Sequence, residues 1–272
     1  MNRAPRQPSQ GPFNVDQIRP GDPYELSDGH AIYCAPTGGD GARGPLVGGH
    51  VLDTDPDVES AGLDAGFALD AKTMRAPDIA VGNVPDAPGW IKGAVPRLAV
   101  EYASVGQDEP ELQRKIEQLL AAGTQLIWVV RLLGPRRVEI YEAARPVRIA
   151  HPGEELIAAG ILRNAVPVEA LFDRDKAHEL TLRNLLQRRG YESLDGVLEE
   201  GREEGREEGR EEGREEGREE LRLALHDILG ARGLPLSESQ RSRIDACKDI
   251  ATLRTWITRA ATARTGAEVL ES

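Results

Sequence analysis

The sequence predicts an α/β domain, a mixed sheet flanked by helices, followed by a charged repeat that is helical or flexible and then a small α-helical tail. Three neighbouring segments carry that expectation. Arg97–Ser104 alternates Leu98, Val100 and Tyr102 with Ala99, Glu101 and Ala103, the period of two that marks a strand. Leu126–Leu132 is an apolar run broken only by Arg131, as in a strand covered on both faces. Between them lies a helix with readable ends. Asp108 caps it, Pro110 sits in its first turn, Glu109 and Glu111 favour the positive end of its dipole, and Gly123 stops it. Leu112, Ile116, Leu119 and Leu120 fall on one face of that helix. A strand–helix–strand unit calls for parallel strands joined by a right-handed crossover.

The other elements follow in order. Residues 1–23 read as a flexible leader ending in Pro-Gly-Asp-Pro, and the α/β domain runs over 24–173. Between Gly29 and Gly66 the density of Gly38, Gly39, Gly41, Gly44, Pro45, Gly48, Gly49 and Pro56 makes a helix improbable over most of the segment. Gly66–Asp70 and Ala76–Asn83 are expected as strands, and Arg137–Ala143 as another after the turn at Gly134-Pro135. Asp175–Arg189 has helical character within an extension over 174–198 and ends at Gly190. Five Gly-Arg-Glu-Glu units lie in the spacer over 199–220. Their period of four drifts about 40° per repeat around a helix, so no coiled-coil seam is specified. Pairs such as Glu203–Arg206 contribute roughly 0.2–0.5 kcal/mol each against about 1 kcal/mol lost per glycine, which makes the repeat a marginal helix in isolation. Over 221–265, Leu221, Leu225, Ile228 and Leu229 form one amphipathic helix, Ser237 with Gln240 opens a second, and Asp249 caps a third that carries Leu253, Trp256 and Ile257.

Composition removes several function classes. Hydrophobic residues make up 39% and charged residues 29% of 272, the balance of a soluble globular chain. No stretch nears the roughly 18 apolar residues needed to span a membrane, and no apolar run follows the basic start as in a secretory signal. Cys34 and Cys247 are far apart and offer neither a disulfide framework nor metal-ligand spacing, so a cytoplasmic setting is expected. The net charge is −12, and the segment Glu199–Glu220 alone, with 12 Glu and 5 Arg, carries −7 of it. That is not the footprint of a protein that coats nucleic acid by charge.

One constellation has chemical content. Asp78, in Ala-Pro-Asp-Ile-Ala-Val, enters a strand behind Pro77, and Glu101 sits mid-strand between the small Ala99 and Ala103. With Leu112 at zero on a helical wheel, Lys115 lies at about 300°, flanking the buried face of the crossover helix. Two carboxylates that hold a metal and a lysine that steadies a water or a phosphate are the minimum set for metal-assisted phosphodiester hydrolysis. Spacing alone does not select that reading, because Pro-Asp pairs occur in turns, strand glutamates face solvent at edges and boundary lysines snorkel. His50 is a lone loop histidine, Gly38–Gly41 lacks the ending of a phosphate loop, and Trp128 and Tyr102 read as core.

A resemblance does select it. Tyr24–Gly29, Phe67–Asp70, Arg75–Val81, Pro96–Glu101, a lysine fourteen residues later, Ala121–Gly123 and Leu126–Val130 together resemble the Uma-two family, placed among the endonucleases of the PD-(D/E)xK, restriction-endonuclease-like superfamily. The likeness covers residues 24–173. It implies a restriction-endonuclease-like fold, a Mg²⁺ (or Mn²⁺) ion held by Asp78 and Glu101, Lys115 orienting the attacking water, DNA as substrate, and Glu25 as a supporting group. Two departures stand out. Ala103 occupies the place of the parent motif's lysine, and the glycine-rich segment after Gly29 replaces a long amphipathic helix. The tail resembles the helical C-terminus of transposase-associated and recombination-promoting nucleases, which implies a module for a protein partner or for homo-oligomers. The alternative is an inactive nuclease fold that recruits partners through that tail.

Overall fold

The computed structural model describes residues 11–271. The chain divides into two compact units, with the boundary between Leu194 and Asp195. In chain order the strands of the first unit are β1 (Tyr24–Ser27), β2 (His30–Tyr33), β3 (Ala61–Leu63), β4 (Phe67–Ala68), β5 (Met74–Arg75) and β6 (Ile79–Val81). They continue with β7 (Ile91–Lys92), β8 (Leu98–Ala103), β9 (Leu126–Arg131), β10 (Arg137–Tyr141), β11 (Arg148–Ala150), β12 (Glu155–Leu156) and β13 (Val166–Pro167). Its helices are α1 (Gly39–Asp53), α2 (Glu109–Ala122) and α3 (Arg174–Arg188). The larger sheet has the order β11-β10-β9-β8-β6-β3 and a smaller one the order β2-β1-β5-β4-β7. Within the larger sheet β8 and β9 are parallel and the other pairs antiparallel, so the fold is the expected mixed α/β arrangement.

The β8–α2–β9 unit forms for the reasons its sequence supplies. The Asp108 side chain accepts the Glu111 N–H at 3.1 Å, and Gly123 closes the helix with φ of 112°. Leu112, Ile116 and Leu119 pack on Ala99, Ala103, Ile127 and Val129, which form one face of the sheet. Burying each of those large side chains stabilises the layer by about 1.5–3 kcal/mol. On the opposite face Leu98, Val100, Tyr102, Trp128, Val130, Val138 and Ile140 join Val51 and Leu52 of α1 and Ala177 and Leu180 of α3. Glu101 belongs to the α2 face and Tyr102 to the other.

One expectation is overturned. Residues 39–53, where glycines argued against a helix, form α1. The glycines are there for contact distance. A β-carbon added at Gly48 would lie 2.2 Å from Tyr102 Oη, and one at Gly44 would lie 2.6 Å from the Tyr102 ring. Without those carbons the helix backbone lies against the sheet, and burial of Val51 and Leu52 offsets the propensity cost of about 1 kcal/mol per glycine. The expected strand over 76–83 is regular only from Ile79 to Val81, and Pro77, which has no N–H to give a ladder, stands just ahead of it. Of the leader, residues 1–10 lie outside the described residues, whereas Val15 and Ile18 are buried beside Leu26 and Met74.

In the second unit the Gly-Arg-Glu-Glu repeat is helical throughout. It belongs to α4 (Leu194–Ala231), with i, i+3 pairs at Glu215–Arg218 (2.5 Å) and Glu219–Arg222 (3.0 Å). Only beyond the repeat does α4 gain a core, where Leu225 and Leu229 pack with Ile244, Leu253 and Trp256. Ser237 and Asp249 cap α5 (Glu238–Asp245) and α6 (Ile250–Ala260) as expected. A further short helix, α7 (Gly266–Leu270), is capped by Thr265 and adds Val269 and Leu270 to this core. No helix among the described residues is long and apolar enough to cross a membrane.

Candidate active site

Strand register sets out the carboxylates. The β6–β8 ladder pairs Ile79 with Val100, and one step further Asp78 stands opposite Glu101. The β3–β6 ladder pairs Leu63 with Ile79, and one step further Asp64 stands opposite Asp78, its N–H donating to the Asp78 carbonyl at 3.4 Å. Three acidic residues from adjacent strands thus form one row across the sheet. Asp78 Oδ2 accepts the Tyr102 N–H at 2.6 Å, while the Tyr102 hydroxyl, on the opposite face, donates to the Leu171 carbonyl at 2.8 Å. The residue after Glu101 therefore holds Asp78 and anchors β8 to the other layer.

Lys115 reaches this row from α2. Its Nζ lies 2.8 Å from Glu101 Oε1, 2.9 Å from Glu25 Oε1 and 2.7 Å from the Ala76 carbonyl. Glu25 comes from β1 of the smaller sheet, and its other oxygen lies 3.1 Å from Arg75 Nη1. Arg75, fully buried, also meets Glu111 at 2.7 Å and donates from Nε to Gln118 Oε1 at 2.6 Å. Gln118 donates in turn to Ser27 Oγ at 3.2 Å. Glu25 thus ties both buried cations to the seam between the two sheets and α2.

The charge balance is tense. Burial pushes the Glu101 carboxyl up to about 8, with Lys115 opposing the rise and the Asp78 and Glu25 carboxylates adding to it. Asp78 is raised by burial too, against the pull of Lys115 and the Tyr102 N–H, with Asp64 and Glu25 adding to the rise. Asp64, although exposed to solvent, is also raised by the protein packed around it, with Lys115 opposing and Glu25 adding. Burial works against the Lys115 ammonium, yet Glu101, Glu25 and Asp78 outweigh it and hold Lys115 above its usual value. The row carries more carboxylate than Lys115 neutralises.

That surplus is the chemistry a hard divalent cation relieves. Glu101 Oε1 is buried and, among the described residues, meets no partner other than Lys115. Among the described residues no group of three or more His, Cys, Asp or Glu side chains is gathered closely enough to hold a metal ion by itself. Carboxylate oxygens such as those of Asp78 and Glu101 are the donor type that a hard cation like Mg²⁺ takes, alongside water or phosphate.

All four residues singled out in the sequence, Asp78, Glu101, Lys115 and Glu25, come together here. His50 does not. It is exposed on α1 and lines a cleft with Leu46 and Ile79. Sequence reasoning missed Asp64 and Arg75. Asp64, in Leu-Asp-Ala-Gly, reads as a turn residue, and Arg75 reads as an ordinary charge two residues before Pro77.

No curated protein matches the chain. The crystal structure of a protein described as a putative nuclease of the DUF820 family, from Anabaena variabilis, is similar to it with a TM-score of 0.51 and 18% identity. That alignment covers 60% of this chain and 99% of the other, and at this identity it speaks to a shared nuclease-like fold. Residues 13–169 match the family Uma2, described as a putative restriction endonuclease. This match spans more than half of the sequence and contains the whole Asp78–Glu101–Lys115 constellation, and the chain belongs to the Uma2 family.

Proposed function

We propose that the protein is a metal-dependent endonuclease that hydrolyses DNA phosphodiester bonds. The observation that carries this reading is the convergence of Asp78, Glu101 and Lys115 from two strands and a helix, with Lys115 Nζ 2.8 Å from Glu101 Oε1. Asp78 and Glu101 would hold Mg²⁺ or Mn²⁺. Bound there, the ion would supply Lewis-acid polarisation of the phosphate and a lower pKa for an attacking water. Lys115 places a fixed positive charge beside Glu101, where it orients a nucleophilic water or offsets charge developing on the phosphate. The Tyr102 N–H fixes the Asp78 carboxylate, and Glu25 holds Lys115 in place while Arg75 holds Glu25.

A second reading, a nuclease fold that binds partners without cutting, is favoured by one observation. The Lys115 ammonium already has three partners in Glu25, Glu101 and the Ala76 carbonyl, so it must exchange one to serve a substrate. A panel of plasmid, linear, single-stranded and branched DNA, assayed with Mg²⁺ or Mn²⁺ and again with EDTA, separates the two. The nuclease reading expects cutting that EDTA abolishes. A folded protein that neither cuts any of these nor binds divalent metal by calorimetry would leave the second reading standing.

A further inference from the structure

Away from the carboxylates, two adjoining clefts of about 350 and 380 Å³ lie beside α1 and α3 and share Arg43 and Arg174 in their walls. Arg136 lines the first, its guanidinium stacked 4.6 Å over the Phe172 ring, while His178 lines the second. All three arginines are exposed. Elsewhere in the unit Arg131, Arg137 and Arg163 are each paired with a carboxylate. Among the described side chains none lies within ion-pair distance of Arg43, Arg136 or Arg174, and Arg174 Nε instead faces His178 Nε2 at 3.5 Å. Three carboxylates of the neighbouring segments are engaged elsewhere. Asp173 caps α3 through the N–H groups of Asp175 and Lys176, Glu169 accepts the Gly153 N–H, and Glu139 serves Arg131 and Arg137. In a chain of net charge −12, three guanidinium groups without an ion-pair partner among the described side chains gather around one open groove.

The groove lies against the far end of β8, across the sheet from the carboxylate row. Its wall residue Leu132 donates its N–H to the Ala103 carbonyl at 3.0 Å, two residues beyond Glu101, and Gly44, also in the wall, lies against the Tyr102 ring. It therefore opens near the ends of β8 and β9 on the α1 and α3 face of the sheet, whereas Glu101 and, opposite it, Asp78 belong to the α2 face. Phe172 under Arg136 restrains one guanidinium in place, and arginine's planar fork suits phosphate oxygens.

We propose that Arg43, Arg136 and Arg174 form a phosphate-binding groove that holds the backbone of a DNA strand where it passes the ends of β8 and β9. The inference rests on the nuclease reading for the identity of the polymer. Its test is made without catalysis. Binding of a short fluorescent duplex and of the matching single strand to the full chain is followed by anisotropy in EDTA across a salt series. The wild type and the R43A/R136A/R174A triple variant are compared with each single variant, and folding is checked by circular dichroism. The triple variant is expected to bind about tenfold more weakly or worse, and the slope of log affinity against log salt is expected to fall by up to about 2.7, near 0.9 for each lost phosphate contact. The single variants, each at an exposed position, give the same test in part should the triple variant fold poorly. Unchanged affinity and slope, or a wild type that binds neither DNA, would overturn the groove. Tight binding of free deoxynucleoside monophosphate, lost in the triple variant while DNA binding persists, would make it a mononucleotide site and overturn the backbone assignment. A wild type that binds through the arginines but cuts no DNA with Mg²⁺ or Mn²⁺ would refute the nuclease reading and leave the groove intact.

Discussion

Lys115 Nζ lies 2.8 Å from Glu101 Oε1, although the lysine sits on α2 and the glutamate in the middle of β8. Two residues after the glutamate the strand carries the buried Ala103, and the lysine beside Glu101 comes from the covering helix. The relationship depends on α2 seating against Ala99 and Ala103, whose small size leaves room for the helix and for the lysine beside it.

Lys115 is a structural group as well as a candidate catalytic one. Replacing it by methionine leaves Glu25 with Arg75 as its counter-charge among the described residues and removes the ammonium that faces Glu101. Breaking a buried pair in this way costs roughly 3 kcal/mol, at the low end for such changes because Arg75 remains. Urea unfolding at neutral pH in EDTA reads it directly. A variant as stable as the wild type would show that the network contributes nothing to the fold.

The metal-free protein should have a characteristic pH response. Folded Glu101 titrates near 8 and unfolded glutamate near 4.5, so between those values the folded state holds a proton that the unfolded state has released. The contribution of this group to stability is greatest below about 4.5, falls as pH rises through the window, and levels off above 8. Glu101→Gln removes the titration, so its stability relative to the wild type should climb from pH 5 to pH 8 by on the order of 1–3 kcal/mol in EDTA. Added Mg²⁺ should reverse the order by stabilising the wild type alone. Thermal melts at a series of pH values decide it, and a flat difference would contradict the tension described at Glu101.

Glycines in two helices should respond in opposite ways. Gly48→Ala places a β-carbon where Tyr102 Oη stands, and overpacking of this kind costs about 1–3 kcal/mol while disturbing the residue whose N–H holds Asp78. Gly205→Ala, in the exposed repeat with open space around it, should instead stabilise α4 by up to about 1 kcal/mol. Chemical unfolding of the two variants tests this, and a stabilised Gly48→Ala would show that α1 does not need its glycines for contact.

The sequence carried the β8–α2–β9 unit in full, because cap, stop and apolar period each sit within the element they specify. It carried Asp78, Glu101 and Lys115 as a set only through the order of family motifs, since each residue type alone is common in turns, edges and boundaries. What it concealed has a common physical origin, which is contact between distant segments. The helix α1 exists because glycine lets backbone touch Tyr102, a reason that residue propensity does not contain. Asp64 joins the row through a strand register, and Arg75 enters through Glu25 on β1 and Glu111 and Gln118 on α2. The helical repeat was a matter of balance between weak pairs and glycine cost, and it resolved as helix.

The most direct test of the central claim is the rate at which the full chain nicks plasmid DNA in Mg²⁺ or Mn²⁺, measured for the wild type, Asp78→Ala and Lys115→Ala prepared in parallel. The site described here predicts metal-dependent cutting by the wild type and a loss of about 100-fold or more in both variants. Cutting that survives in both would place the activity elsewhere and contradict the assignment.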